Sequence, residues 1–202
     1  MAETFNFDLL VIGGGPAGYV GAIRAAQLGL KTACVERDKL GGVCLNWGCI
    51  PTKALIAGAE FYHKLSHEAP SWGIHADNIR HDWPTVIGRS RNVAGTLNRG
   101  IAGLFKKNKI THIQGHARIM SAKTGEVRVE IHDNPGHVAS IVLAKRVLIC
   151  TGAQPRSLPG ADFDGERIIS SKEAMSLPAQ PKKLLIVGSG AIGMEFAYFY
   201  NA

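Results

Sequence analysis

The sequence predicts an α/β protein built on a doubly wound parallel sheet, with an antiparallel β-meander and the opening of a second unit of the same kind. Three observations carry this. An apolar run, a glycine turn and a helical run open the chain; strand-like alternation fills much of the stretch from residue 109 to 151; and the opening pattern returns near residue 182.

The first run, "FDLLVI" at 7–12, ends on "GGGPAG", after which Ala, Val and Ile recur at helical spacing over 16–28. Pro16 suits a first helical turn and Gly29 a helix end. "KTACVE" follows as a second strand, so the unit is β-α-β. Residues 51–65 are expected to be helical, and "HEAPSWGIHADNIRHDWP" is a connection. Trp83, Ile87, Ser90, Ala94, Leu97, Ile101 and Leu104 alternate at spacings of four and three, which predicts one face of a long helix that packs in the core or against another helix or subunit. "KITHIQGHARIM", "EVRVEIHD" and "SIVLAKRVLICTG" are expected to form an antiparallel meander returning to the sheet. Pro155, Pro159, Pro178 and Pro181 punctuate a linker, and "KLLIVGSGAIGMEFAYFY" again reads strand, turn, helix. The expected organisation is a domain over 1–150, a linker over 151–181 and the beginning of a second domain over 182–202.

The glycine turns carry chemistry. Gly13, Gly15 and Gly18 occupy G-x-G-x-x-G positions, with Pro16 and Ala17 between them. Glycine there permits the tight turn, the approach of a pyrophosphate to the backbone and close helix packing, and the helix start supplies free N–H groups. Glu36 closes the second strand at the spacing of an acid that accepts from a ribose hydroxyl. This is a Rossmann-like nucleotide site. Gly188, Gly190 and Gly193, with Ala191 and Ile192, repeat it, but the chain ends before any residue that would tell NAD from NADP.

Composition sets limits. With 46% hydrophobic residues, 202 residues can bury a sizeable core. No signal-length or membrane-length apolar run is present, so a cytoplasmic setting is expected. The net charge of +7 lacks the interleaved aromatics of a nucleic-acid face, so neither nucleic acid nor membrane is an expected partner. Cys34 and Cys150 lie in apolar strand-like runs and are expected in the core. Cys44 and Cys49, in "GGVCLNWGCIPTKAL", admit three readings: half of a zinc site, buried structural thiols, or a redox pair. No further ligand pair of zinc spacing accompanies them, so no metal is expected, and Cys49 stands before a helix whose N-terminus favours a thiolate.

"GGVCLNWGCIPTKAL", with "IGGGPAG", "ICTGAQP" and "IVGSGAIGMEFA", resembles the flavin-dependent pyridine nucleotide disulfide oxidoreductases along the whole chain. The resemblance implies an FAD-binding first domain, an NAD-binding second domain and a Cys44–Cys49 disulfide as redox centre. Cys44 matches the thiol that exchanges with substrate and Cys49 the thiol beside the flavin. Lys53 matches the lysine beside the flavin ring, and Glu195 the acid that pairs with it. FAD contacts are implied for Gly13, Gly15, Pro16, Ala17, Gly18, Glu36, Arg37, Gly42, Val43, Lys53, Gly115, His116, Ala117, Thr151 and Gly152, and NAD contacts for Gly188, Gly190, Ala191, Ile192 and Gly193. Val43 departs from the family's usual threonine, which bears on one hydroxyl contact. The wording is nearest the branch that oxidises dihydrolipoyl groups, implying a lipoyl-bearing acyltransferase of a 2-oxo acid dehydrogenase complex as partner. Glutathione- and mercuric-reductase-like enzymes and a catalytically silent FAD-binding module are the alternatives. Relatives continue well past this length, into a part that forms the homodimer and supplies a His-Glu acid-base pair. The chain is therefore expected to be a fragment that is inactive alone.

Overall fold

The computed structural model describes residues 3–202. They form two compact units: the chain up to Leu45 with Thr96–Ala153, and Asn46–Gly95 with Gln154–Ala202.

The first unit holds a six-stranded sheet in the order β3-β2-β1-β6-β5-β4. Strand β1 (Glu3–Ile12) leads through helix α1 (Pro16–Gln27) to β2 (Thr32–Glu36), which pairs with it in parallel, Val11 against Cys34. The run "TACV" is buried throughout, as a strand covered on both faces must be. The expected β-α-β opening is present. Strand β6 (His137–Ile149) lies parallel to β1 and antiparallel to β5 (Glu126–Asn134), so one strand joins the parallel half to the meander. Phe7, Leu10, Ala33, Val35, Val129, Ile131, Val142 and Ala144 form a continuous buried cluster.

The meander needs one correction. "KITHIQGHARIM" is not a single antiparallel strand: β3 (Thr111–Gln114) pairs in parallel with β2, and β4 (His116–Lys123) pairs antiparallel with β5. Gly115 is the break. Its φ of +147° lies outside the range of ordinary side chains, and a Cβ there would sit 2.7 Å from Ile131 Cγ2 and 2.9 Å from the His132 carbonyl oxygen.

The second unit is helical. Helix α3 (Cys49–His63) packs against α6 (Ala191–Asn201) through Leu55, Ala59, Phe196 and Phe199. Pro51 falls within the first turn of α3, where its missing N–H costs nothing. The proline-punctuated segment carries the short helix α5 (Ser171–Ala174), opened by a Ser170–Glu173 capping box, and it buries Ala174 and Met175 in the same cluster.

Helix α4 (Trp83–Lys107) exists at its expected place, but its buried face differs. Ser90, Ala94, Ile101 and Phe105 are buried, whereas Leu97 and Leu104 are about 40% exposed. A straight helix turns every 3.6 residues, so a strict 3.5-residue repeat drifts off the face by roughly 20° per heptad. The face follows 90, 94, 98, 101 and 105 instead.

A second correction concerns 183–190, expected to begin with a strand. Leu184–Val187 joins no sheet among the described residues, and Leu185 and Val187 are 87% and 73% exposed. A strand is completed by hydrogen bonds to a neighbouring strand, and this run makes none among the described residues.

Candidate functional site

The first glycine turn sits where β1 runs into α1. Gly13 adopts φ +104° and its N–H donates to the Val35 carbonyl at 2.8 Å. A Cβ on Gly13 would be 2.2 Å from the Cys150 carbonyl oxygen, and one on Gly18 would be 1.7 Å from the Gly13 carbonyl oxygen. Both glycines are therefore demanded by packing. Gly15 is different: it caps α1 with φ −72°, no side chain caps the helix start, and a Cβ there would meet only Gly42 Cα, at 3.7 Å. An open, uncapped helix start beside a side-chain-free residue fits a pyrophosphate. Pro16 and Ala17 fill the first turn, and Thr151 and Gly152 follow the end of β6, where the backbone of Cys150 and Thr151 lies against Gly13.

The Glu36 carboxylate accepts from the Gly14 N–H at 2.7 Å through Oε2 and from the Asp38 N–H at 2.8 Å through Oε1. Each oxygen keeps a further lone pair for a hydroxyl. Leu40, Gly41 and Asn98, which the sequence pattern does not single out, complete this cradle with Gly14 and Gly42. A Cβ on Gly14 would lie 2.8 Å from Leu40 Cδ2, so the glycine lets Leu40 close over the turn. The Gly41 N–H donates to the Gly14 carbonyl at 2.8 Å, and the Asn98 side-chain amide donates to the Leu40 carbonyl. Gly42, at φ +57°, approaches so closely that its Cβ would sit 2.6 Å from Gly15 Cα. The Gly41-Gly42 doublet was the available signal for this approach; nothing in the sequence marked Asn98.

Arg37 is exposed, and its carbonyl accepts from the Gln114 side chain at 2.9 Å. The Gly115 N–H donates to the Glu36 carbonyl at 2.9 Å, placing the start of β4 beside the end of β2. Ala117 packs against the core, while the exposed His116 lines an outer groove of about 400 Å³ with Arg118, His132 and Asp133. The two side chains face opposite sides of the sheet, as neighbours in a strand must.

Cys34 is fully buried, and burial pushes its thiol up to about 12. Cys150 is half-buried and its thiol is likewise raised by burial. Cys44 is half-buried on the short helix α2 (Gly42–Asn46), whose neighbour Val43 is exposed. Cys49 is exposed at the first residue of α3, with Gly48 as cap and no side-chain cap, so the amides of that first turn face the sulfur's end of the helix.

One turn further along α3, Lys53 donates to the Glu195 carboxylate of α6. These residues are 142 positions apart, and the apolar packing of α3 on α6 brings them together. The second glycine turn repeats the first in detail. Gly188 has φ +106°, Gly190 caps α6 at φ −70°, and a Cβ on Gly193 would lie 2.6 Å from the Gly188 carbonyl oxygen and 3.2 Å from Ile186 Cγ2. Val11 holds the corresponding place beside Gly18, at 3.4 Å. Ala191 and Ile192, in the first turn of α6, are exposed.

A parallel β-α-β unit with a close-packed glycine turn, a second turn of matching geometry and a cysteine at a helix start define a nucleotide-fold redox class. Residues 7–202 match the family described as pyridine nucleotide-disulphide oxidoreductase, and the chain belongs to that family. It is 48% identical over 195 residues to a dihydrolipoyl dehydrogenase of Zymomonas mobilis, covering 96% of this chain and 41% of that protein. It is 46% identical to a dihydrolipoyl dehydrogenase of Rhizobium etli, over all of this chain and 44% of the relative. The crystal structure of LpdA from Mycobacterium tuberculosis superposes with a TM-score of 0.85 at 32% identity, over 95% of this chain and 42% of that one. The chain thus spans about two-fifths of the length of these relatives. No helix among the described residues is long and apolar enough to cross a membrane.

Proposed function

We propose that the protein carrying this chain is an NAD-linked flavoprotein disulfide oxidoreductase that oxidises dihydrolipoyl groups borne by the acyltransferase of a 2-oxo acid dehydrogenase complex. The observation that carries the reading is the Lys53–Glu195 pair, which joins the cysteine helix to the second glycine helix as the family resemblance requires. The names of the similar dihydrolipoyl dehydrogenases support the substrate class.

In this reading residues 1–150 hold FAD, 151–181 link, and 182–202 open the NAD domain. Gly15 and the start of α1 take the pyrophosphate, and Glu36 orients the ribose. Arg37, Gly42, Val43, Gly115, His116, Ala117, Thr151 and Gly152 complete the FAD contacts; Gly188, Gly190, Ala191, Ile192 and Gly193 receive NAD. FAD held there would supply two-electron chemistry between the cysteine pair and a nicotinamide. Cys44 exchanges with the substrate: the dihydrolipoyl dithiol becomes a disulfide as the Cys44–Cys49 disulfide takes up two electrons. Cys49, exposed at the uncapped start of α3, is the thiol next to the flavin, which passes the electrons on. Lys53 is kept in place by Glu195. The protein works as a homodimer in the cytoplasm.

The test is anaerobic titration of the purified protein with dihydrolipoamide, followed in the visible spectrum. Bound flavin whose absorbance changes with the dithiol, and recovers with NAD, is the expected result; a flavin spectrum indifferent to the dithiol overturns the reading.

A further inference from the structure

Helix α4 reaches the loop between the two redox cysteines through one side chain. Arg91 Nη1 donates to the Asn46 carbonyl at 2.8 Å, and the guanidinium carbon lies 5.3 Å from the centre of the Trp47 ring. The Nζ of Lys172, on α5, lies 4.8 Å from the centre of the same ring. Two cations from two helices thus grip the indole two residues before Cys49.

The placement of Arg91 is costly. Its side chain forms no ion pair among the described residues: besides Asn46 it has only a long contact to the Ser90 hydroxyl, at 3.4 Å. Its second amino group, Nη2, is buried with no hydrogen-bond acceptor among the described residues. Burial draws the guanidinium below its ordinary range. A desolvated cation with an unsatisfied donor is unfavourable unless something compensates, and the strong contacts it does make are both on the cysteine loop. Cation–π attraction strengthens as the cation is desolvated, so the same burial that penalises the charge tightens its hold on Trp47.

We infer that Arg91 is a positioning residue for the redox loop: it fixes Asn46 and Trp47 from α4 and sets an unneutralised positive charge beside the segment that leads into Cys49. The inference rests on the redox reading above. A cation held there favours the reduced, thiolate-bearing state over the neutral disulfide. Lysine is no equivalent, because it lacks the planar fork that donates to a carbonyl while lying on a ring.

The experiment equilibrates the purified full-length protein with mixtures of reduced and oxidised dithiothreitol. The Cys44–Cys49 bond breaks, the cyclic bond of dithiothreitol forms, two electrons pass to the protein, and the two thiol protons of dithiothreitol pass to the new cysteine sulfurs or to solvent. The reduced fraction is read by acid quench, alkylation and mass. Arg91→Gln removes a charge-assisted contact and is expected to shift the equilibrium toward the disulfide by about fivefold or more. Arg91→Lys, which keeps bulk and charge, is expected to shift it the same way by at least about twofold. Circular dichroism identifies which variants fold, and the lysine variant answers the question should the glutamine variant not fold. A folded variant with the wild-type equilibrium overturns the role of Arg91. A wild-type protein with no reversible Cys44–Cys49 couple overturns the redox reading itself, and the inference with it.

Discussion

The glycines of the first turn should separate folding from binding. A Cβ on Gly18 would lie 1.7 Å from the Gly13 carbonyl oxygen and 2.8 Å from its carbon, both backbone atoms. Since real Cβ contacts essentially never fall below 3.0 Å, Gly18→Ala must push α1 away from β1 by more than an ångström. Overpacking on that scale costs about 3 kcal/mol, the upper end of the usual range, because the clashing atom cannot rotate away. For a chain of this size, each kcal/mol lowers Tm by roughly 2–4 °C, so a fall of about 6–12 °C is expected. Gly15→Val makes the contrast. Gly15 already has φ −72°, and the first atom its new Cβ would meet is 3.7 Å away, so the cost is limited to a poorer cap, about 1 kcal/mol. The valine nonetheless fills the space a pyrophosphate must enter. Differential scanning calorimetry and flavin content, measured on both variants, test the assignment. Gly15→Val purifying with a full complement of FAD refutes the binding site, and Gly18→Ala melting with the wild type refutes the packing argument.

Cys44→Ser, which leaves Cys49 as the remaining sulfur of the pair, is expected to give a long-wavelength sulfur-to-flavin absorbance band, and Cys49→Ser to abolish it; the opposite spectra reverse the two roles. Cys34, pushed from 9.0 to about 12, stays protonated in the folded state while an unfolded chain ionises above pH 9. The unfolded state then binds fewer protons, so stability should fall as pH rises through that window, by at most about 1.4 kcal/mol per unit, and Cys34→Ala should remove that component from urea melts taken across it. Lys53→Met and Glu195→Gln break a pair whose side chains are 61% and 29% exposed, so a double-mutant cycle should show about 1 kcal/mol of coupling or less in stability, while turnover with dihydrolipoamide falls at least about tenfold in each. Stability coupling well above that, with turnover intact, would make the pair structural.

Local patterns determined much of this protein from the sequence. The G-x-G-x-x-G spacing named Gly13, Gly15 and Gly18, and again Gly188, Gly190 and Gly193, because backbone torsion and helix packing at such a turn depend on residues a few positions apart. Hydrophobic alternation marked the strands, and Glu36 was legible from its place at the end of the second one. Tertiary structure decided what depends on distant partners. Only the folded backbone shows Gly41 and Gly42 against Gly14 and Gly15, or Asn98 supporting Leu40, since these contacts join segments with no shared periodicity. The buried face of α4 departs from its heptad reading because packing follows 3.6 residues per turn rather than the nearest apolar repeat. The run Leu184–Val187 has every local mark of a strand, yet remains outside any described sheet, because a strand is completed by its neighbours' hydrogen bonds and not by its own side chains. Arg91 carried no motif at all; its meaning comes from the carbonyl and the ring that the fold places against it.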